Sequence, residues 1–185
     1  KSPTVHISKF IMSRLLAIGL LSFVALSTSI VRGAQLAFPG AEGFGRFSQG
    51  GRGGQLKFVT NLNDNGSGSL RAAVEAEGPR IVLFKVSGTI ELQSTLRILN
   101  PHITIAGQSA PGDGICLRRF ALNISADDAV VRFLRVRLGD EAGKLMDGID
   151  VSNAENVMVD HCSVSWTLDE GVNTYHGSKN ITIQW

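Results

Sequence analysis

Acidic residues are concentrated in one stretch of this sequence. Of the 16 Asp and Glu residues in the chain, eight lie between Asp140 and Glu170, where Lys144 is the only Lys or Arg. Such a cluster is typical either of a solvated, charged face or of a group of oxygen ligands for a hard cation. Composition alone leaves both interpretations open.

A second candidate for chemistry is the pair Asp160 and His161, a carboxylate beside an imidazole. The pair follows the alternating segment NVMV, which has the pattern of a strand. Adjacent residues on a strand point to opposite faces. We therefore expect that these two side chains do not form a working acid–base pair.

The two cysteines, Cys116 and Cys162, both lie in apolar, strand-like segments. Export would permit a disulfide between them, while buried free thiols are an equally good interpretation. The sequence leaves this choice open.

Four segments with apolar residues two apart recur along the chain, at offsets of 28, 26 and 24 residues. Alternation with period two is typical of a strand that buries one face. A return about every 26 residues predicts a solenoid, in which each coil buries its apolar face on the next. The segments begin their alternating pairs at Ile103, Val131, Val157 and Ile181.

Two of these segments change their apolar face in mid-run, which predicts a bend from one sheet to the next. In the first, the expected buried set passes from Val131 and Phe133 to Leu134, Val136 and Leu138. In the second, it passes from Val157 and Val159 to Cys162, Val164 and Trp166. Asn156 and Asn180 open equivalent repeats and are expected to stack as a hydrogen-bonded ladder. The prediction is an all-β, parallel β-helix with three short strands per coil.

The region before the repeats predicts a closed end of this solenoid. Residues 35–66 are rich in glycine, which serves tight turns and close backbone contacts. In residues 67–78, Ser67 or Ser69 is placed to cap a short helix with Leu70 and Val74 on one face, and Gly78 to end it. We expect this helix to cover the N-terminal end of the stack.

Residues 1–34 have the pattern of an upstream segment and a secretory signal peptide. A basic start at Met12–Arg14 precedes an apolar run from Leu15 to about Val31, and small residues follow near Gly33. A membrane-spanning helix is the alternative. The prediction is therefore a leader over residues 1–34, a partial parallel β-helix domain over residues 35–185, and a secreted, extracellular or periplasmic protein.

Removal of residues 1–34 would take away four of the 18 basic residues and no acid, leaving 14 basic against 16 acidic residues and a net charge of −2. This balance does not suit a basic nucleic-acid binder. We expect no nucleic-acid partner, no membrane partner after signal cleavage, and a monomer.

Several separated motifs, in order, resemble secreted bacterial pectate lyases from about Phe38 to Trp185. They are FPGAEGFGRFSQGGRGG, VTNLNDNGSGSLRAAV, FKVSGTIEL, ITIAGQSAPGDGICL and DGIDVSNAENVMVDHCSVSWTLDEG. The resemblance implies a right-handed parallel β-helix, dependence on Ca²⁺ and cleavage of pectate (polygalacturonate) by β-elimination.

The resemblance also implies metal ligands. Asp147, which lies 13 residues before Asp160, and Glu170 match the family's calcium carboxylates, and Asp169 is expected to supply further oxygens. Two positions where the family often has further acids are Leu145 and Thr174 here. For Asp160 and His161 the resemblance implies a structural role.

The sequence identifies no catalytic residue within residues 1–185. The family uses an arginine base on a later coil, expected beyond Trp185, and Arg132, Arg135 and Arg137 are expected to form a solvated outer face. Because the sequence stops in the middle of a repeat, we expect it to be the front part of a longer enzyme, truncated at its C-terminal side and inactive by itself. Two alternatives remain, a polygalacturonase-type hydrolase and a non-catalytic polysaccharide-binding or adhesin β-helix.

Overall fold

The computed structural model describes residues 35–185; the predicted signal peptide lies outside the described residues. Among these residues the chain winds through 14 short strands that form three parallel sheets. Each full coil contributes one strand to each sheet, so the predicted right-handed parallel β-helix with three strands per coil is confirmed. No helix within residues 35–185 has the length and hydrophobicity that a membrane crossing requires.

The strands of each sheet stack in the order of the coils. Sheet A contains β1 Gln55–Val59, β2 Arg80–Phe84, β5 Ile103–Ala106, β8 Ala129–Arg132, β11 Glu155–Asp160 and β14 Lys179–Gln184. Sheet B contains β3 Gly88–Glu91, β6 Ile115–Arg118, β9 Leu134–Arg137 and β12 Ser163–Ser165. Sheet C contains β4 Leu96–Ile98, β7 Leu122–Ile124, β10 Ile149–Ser152 and β13 Val172–Tyr175.

The core consists of aliphatic columns that run along the axis of the stack. In sheet A, Val82, Ile105 and Val131 are paired in register and fully buried, and Val159 continues the column. Burying one such side chain contributes about 1.5–3 kcal/mol, and in a parallel stack every coil supplies equivalent positions. The period-two alternation of the sequence therefore produces one continuous core.

The corners between sheets do not follow the alternation. Phe133 and Trp166 were expected to be buried, but they are 37% and 70% exposed. Both lie at corners with positive φ, 55° and 57°. A residue in this left-handed conformation interrupts the alternation of the strand, so its side chain leaves the core. Phe133 stacks instead on the ring of His161, with 4.5 Å between ring centroids.

The corner that leads into sheet A carries the predicted asparagine ladder. Asn180 Nδ2 donates to Asn156 Oδ1 at 3.1 Å, and both residues have positive φ. Asp128 and His102 occupy the equivalent corner positions in earlier coils, also with positive φ. Asn and Asp tolerate this conformation better than most residues, so the ladder prediction is confirmed.

A short helix, α1 (Leu70–Glu75), packs on β1, β2 and β4 and buries Leu70 and Val74 in the core. The Ser69 side chain accepts a hydrogen bond from the Ala72 N–H and caps its N-terminus. The helix ends at Glu75 rather than at Gly78. The fully buried Arg80 donates to the carbonyls of Ala73 and Val74 near the end of the helix. It also donates to the carbonyls of Gly78, Asn100 and Pro101 in nearby loops.

The glycine-rich segment crosses the outer face of sheet A. Its backbone N–H groups donate to side chains along this sheet: Gly45 to Thr182 on β14, Gln49 to Asp128 just before β8, and Gly51 to Thr104 on β5. A Cβ at Gly51 would overlap the carbonyl of Arg80. The glycines are thus required for close approach of two backbones, as the sequence predicts, and we call residues 40–54 the strap.

Candidate metal centre on sheet C

Three carboxylates meet at one edge of sheet C. Asp147 precedes β10, while Asp169 and Glu170 precede β13, the neighbouring strand. One carboxylate oxygen from each lies within 4.8 Å of the other two. All three residues predicted as metal ligands are therefore brought together, and their binding of a metal stays a prediction.

The parallel register explains this meeting. Ile149 pairs with Val172, so Asp147 and Glu170 each lie two residues before equivalent strand positions on adjacent coils. The Gly148 N–H donates to the Glu170 carbonyl at 3.0 Å, which extends the pairing into the loop. Two residues at the same position of neighbouring coils are about 4.8 Å apart, a spacing that lets their side chains share one ligand.

Asp147 is held in place by its neighbours on the next coil. Its Oδ1 accepts from the Glu170 N–H at 3.1 Å, and its Oδ2 accepts from Asn173 Nδ2 at 3.2 Å. A carboxylate oxygen has two acceptor lone pairs. Each oxygen of Asp147 therefore keeps a lone pair for a cation.

The carboxyl groups of the cluster affect one another's ionisation. Hydrogen bonding to Asp147 and Asp169, together with the negative charge of Asp169, raises the pKa of Glu170. Like charges at this distance disfavour full ionisation. A divalent cation would reverse this effect, because it would favour the ionised form of all three carboxyl groups.

Asp150 is a neighbouring carboxylate whose place in the cluster the sequence did not reveal. Asp150, Asp147 and Asp169 line a cleft of about 260 Å³ together with Tyr175, and we call it the acidic cleft. Oδ2 of Asp150 accepts from Asn123 Nδ2 at 2.6 Å, whereas its Oδ1 is buried without a partner. Burial raises the pKa of Asp150, and the charge of Asp147 adds to this effect.

The donor set fits a hard divalent cation. Ca²⁺ takes six to eight oxygen ligands, several of them from carboxylates. The three clustered carboxylates, with the unpartnered Oδ1 of Asp150 in the adjoining cleft, supply that chemistry. The signal for Asp150 was present in the sequence, since it is the polar residue between the inward-facing Ile149 and Val151. The two positions at which pectate lyases often have further acids, Leu145 and Thr174 here, lie in the same region. Leu145 lines the acidic cleft and is 77% exposed, and Thr174 is exposed on β13.

No protein-family model matches the chain, but individual relatives do. A protein named probable pectate lyase C from Emericella nidulans is 49% identical over 152 residues, which are 82% of this chain and 36% of that protein. One of the same name from Aspergillus terreus is 45% identical over 170 residues, 91% of this chain and 40% of that protein. Probable pectate lyase 12 from Arabidopsis thaliana is 30% identical over 161 residues, 76% of this chain and 33% of that protein.

The chain is similar to pectate lyases. It spans about 40% or less of the length of these curated relatives. The 1.7 Å crystal structure of Jun a 1, the major allergen from cedar pollen, matches with a TM-score of 0.65 and 25% identity, over 76% of this chain and 46% of that one. These relatives are fungal and plant proteins, so the comparisons do not support the bacterial origin that the sequence resemblance suggested.

In this pectate lyase-like fold, Asp160 and His161 do touch, contrary to the expectation that they face apart. His161 Nδ1 lies 2.9 Å from Asp160 Oδ1. The expectation failed because His161 is a corner residue with φ 52°, so strand alternation does not apply to it. The fully buried Asp160 also accepts from Arg132 Nε at 2.5 Å and Gln184 Nε2 at 2.7 Å. These bonds join three coils of sheet A, an arrangement that suits a structural role.

The arginines of β8 and β9 lie away from the acidic cleft. Arg132 is on sheet A, where its guanidinium also packs over the ring of Phe38 at 3.7 Å. Arg135 and Arg137 are on sheet B, and Arg137 donates to the Ser163 carbonyl and hydroxyl. None of these three side chains belongs to sheet C.

Both cysteines are free thiols, and each is partly buried. Cys162 is surrounded by protein, and this burial raises its pKa to about 11. The thiolate is the reactive form of cysteine. Of the two interpretations that the sequence left open, the structure supports free thiols, and burial holds Cys162 in its less reactive, protonated form.

Proposed function

We propose that this protein is a calcium-dependent pectate lyase that cleaves polygalacturonate by β-elimination. The similarity to pectate lyases supports the reaction, and the single observation that carries the proposal is the convergence of the Asp147, Asp169 and Glu170 carboxylates just before strands β10 and β13 of sheet C. Neither a hydrolase nor a binding protein is named among the relatives described above.

In this proposal Asp147, Asp169 and Glu170 hold the calcium ion, and Asp150 supplies its unpartnered Oδ1. Bound there, the ion would screen these acids from the polyanionic substrate and act as a Lewis acid on the substrate carboxylate, which makes the C5 proton more acidic.

Neighbouring residues of the chain orient the Asp147 and Asp150 carboxylates. Asn173 and the Glu170 N–H fix Asp147, and Asn123 fixes Asp150, so the carboxylates do not have to reorganise when a cation and substrate bind. In β-elimination the C5 proton leaves to a base, the C4–O bond breaks, a C4–C5 double bond forms, and the departing oxygen takes up a proton. No described residue is assigned as that base.

We further propose a secreted monomer with no nucleic-acid or membrane partner. The signal-peptide pattern of residues 1–34 supports export, and the net charge of −2 for residues 35–185 argues against nucleic acid. Light scattering of the protein after chromatography, at two concentrations, tests the monomer.

The reaction is tested with the full-length protein and polygalacturonate, by following the ultraviolet absorbance of the unsaturated product with calcium and with a chelator. The proposal predicts a rise that calcium restores after chelation. New reducing ends without that absorbance would indicate hydrolysis, and binding to the polymer without either change would indicate a non-catalytic protein.

A further inference from the structure

The sequence holds three Asn-X-Ser/Thr triplets in which X is not proline. They begin at Asn65, Asn123 and Asn180. In a secreted protein such a triplet is an acceptor for an N-linked glycan. A glycan is bulky and polar, so the folded protein accommodates it only where the asparagine side chain projects into solvent. The contacts of the three amide groups therefore decide which of these sites can carry one.

Asn123 is closed to a glycan in the folded protein. It is 4% exposed, and its Nδ2 donates to Asp150 Oδ2 at 2.6 Å and to Ser152 Oγ at 3.3 Å. Its Oδ1 accepts from Ser125 Oγ at 2.8 Å. A sugar on Nδ2 would replace one of these donated hydrogens in a buried position. The amide of Asn123 is thus committed to the side chains around it.

Asn180 is committed to the asparagine ladder. Its Nδ2 donates to Asn156 Oδ1 on the preceding coil at 3.1 Å. The hydroxyl of Thr182, the third residue of its triplet, donates to the Glu42 carbonyl and accepts from the Gly45 N–H, so the strap covers it. A sugar on Asn180 would disturb the contact between these two coils beside the strap.

Asn65 has neither of these constraints. Asn65, Gly66 and Ser67, the whole triplet, are exposed. No group within residues 35–185 forms a hydrogen bond with the Asn65 amide, although the loop makes other side-chain bonds. Even a Cβ built on Gly66 would meet no atom within 4 Å. Among the three triplets, this one has both a free amide and open space around it.

The loop that carries Asn65 is held at its base and along one side. It follows β1 and precedes α1. The Thr60 N–H donates to the Gly68 carbonyl at 2.9 Å and closes the loop. Arg71 on α1 forms a salt bridge with Asp64 at 2.8 Å, which fixes the residue just before Asn65. These contacts leave Asn65 at the outer part of an anchored loop, where a substituent displaces nothing.

We propose that Asn65 carries an N-linked glycan and that Asn123 and Asn180 do not. The co-reactant is an oligosaccharide linked to a lipid diphosphate in the secretory pathway. Asn65 Nδ2 forms a bond to the anomeric carbon of the first sugar and gives up one proton. The bond from that carbon to the diphosphate oxygen breaks, and the lipid diphosphate leaves with its electron pair.

This inference rests on the proposed secretion and not on the proposed lyase reaction. The relatives described above are fungal and plant proteins, and N-glycosylation belongs to the secretory pathway of such cells. The site would therefore be modified while the chain is exported.

The glycan would stand beside an open strand edge. Within residues 35–185, β1 has β2 as its single neighbour in sheet A, and Leu56 and Phe58 on β1 are exposed. An open edge with exposed apolar side chains favours association with other chains. Because the loop of Asn65 begins directly after β1, a polar glycan there limits access to this edge.

The test is a glycan map of the full-length protein, exported from a eukaryotic host with its own leader. An amidase removes the glycans in heavy-oxygen water and converts each glycosylated asparagine to a mass-labelled aspartate. Mass spectrometry of the peptides should find the label at Asn65 and none at Asn123 or Asn180. This measurement uses the wild type and depends on no variant.

Variants of the triplet check the assignment. Asn65→Gln and Ser67→Ala should each lose the glycan, whereas Ser67→Thr should keep it because threonine also completes the triplet. The matched control is Asn63→Gln, an exposed asparagine of the same loop outside any triplet, and it should keep the glycan. By light scattering, Asn65→Gln should associate more than the wild type, and adding Leu56→Ser should reverse this.

The outcomes separate the site from the export on which it rests. An exported protein without its leader and with an unmodified Asn65 overturns the site and leaves the secretion. A glycan on Asn123 or Asn180 of the exported, folded protein also overturns the proposal. A protein retained in the cell with its leader uncleaved overturns both. Equal light scattering of glycosylated and unglycosylated protein overturns the protection of β1 and leaves the site.

Discussion

At the scale of single residues, hydrogen bonds preorganise the carboxylates of the acidic cleft. Asp147 bonds through both oxygens to the next coil, and Asp150 has one oxygen satisfied and one without a partner. Keeping a buried acceptor unpaired costs about 1–3 kcal/mol. Such a cost is accounted for if a cation satisfies that oxygen in the working protein.

The first prediction concerns Asp147. Asp147→Asn keeps the shape of the side chain but removes one charge from the proposed ligand set, so the calcium concentration for half-maximal lyase activity should rise about tenfold or more. Activity is measured across a calcium series. The thermal unfolding temperature in chelator should change little, and Asp140→Asn, in an exposed loop outside the cluster, should behave as the wild type. An unchanged calcium requirement in Asp147→Asn would remove it from the ligand set.

The second prediction concerns Asp160 and pH. Burial raises the pKa of Asp160, but hydrogen bonds from Arg132, His161 and Gln184 outweigh burial and hold the pKa below its ordinary value. When folding lowers the pKa of a carboxyl group, its ionised form increases the free energy of unfolding at any pH above the unfolded-state pKa, which is about 3.9 for Asp. This contribution is lost as the pH falls through the folded-state pKa.

Urea unfolding between pH 6 and pH 3 measures this contribution. Asp160→Asn should lower the free energy of unfolding at pH 6 by about 2 kcal/mol, and the difference from the wild type should shrink toward pH 3. Glu77→Gln, at an exposed position, serves as the control. A difference that stays constant over this range would contradict the linkage.

At the scale of elements, the strands follow from the sequence and the corners do not. Period-two alternation predicted the strands around Ile105, Val131 and Val157 because each needs only its own apolar face. Phe133, His161 and Trp166 depend on backbone conformation at a bend, with φ above 50° in each case. Phe and Trp rarely adopt this conformation, so their residue types gave no signal, and alternation placed Phe133 and Trp166 on the wrong side.

The end of helix α1 yields the third prediction. Gly78 was expected to end the helix, whereas the fully buried Arg80 side chain donates five hydrogen bonds, two to the helix carbonyls of Ala73 and Val74 and three to carbonyls of nearby loops. Arg80→Met should lower the free energy of unfolding by roughly 3 kcal/mol, because several buried carbonyls lose their donor. Chemical denaturation compares it with Arg97→Met, which changes an exposed side chain with one long hydrogen bond. Equal, small losses in both variants would contradict the capping role.

The strap yields the fourth prediction, which compares a glycine needed for close contact between two backbones with a glycine needed only for its positive φ. Gly51→Ala should lower the free energy of unfolding by about 2–3 kcal/mol, because the added methyl group meets the Arg80 carbonyl. Gly53→Ala, at φ 78° with open space around it, should lower the free energy of unfolding by only about 1 kcal/mol, the cost of the left-handed conformation for a residue with a Cβ atom. Denaturant unfolding of both variants measures the difference. A larger loss at Gly53 would show that the strap is not held closely against β2.

At the scale of the whole molecule, stacking converts positions far apart in sequence into one surface. Asp147 and Glu170 were predictable as neighbours because a parallel register brings equivalent positions of successive coils together. Alternation also marks Asp150 as an outward-facing position of β10, but it does not show that one of its carboxylate oxygens is buried without a partner. The sequence therefore predicted the repeating part of the molecule, and the structure was needed for the side-chain contacts that cross the repeats.

The most direct test of the proposed metal centre is a crystal structure of the protein grown with calcium. We predict one calcium ion with carboxylate oxygens of Asp147, Asp169 and Glu170 at about 2.3–2.6 Å, and Oδ1 of Asp150 turned toward it directly or through a water molecule. Calcium at saturating concentration that binds elsewhere, or no ion between these three carboxylates, would contradict the account.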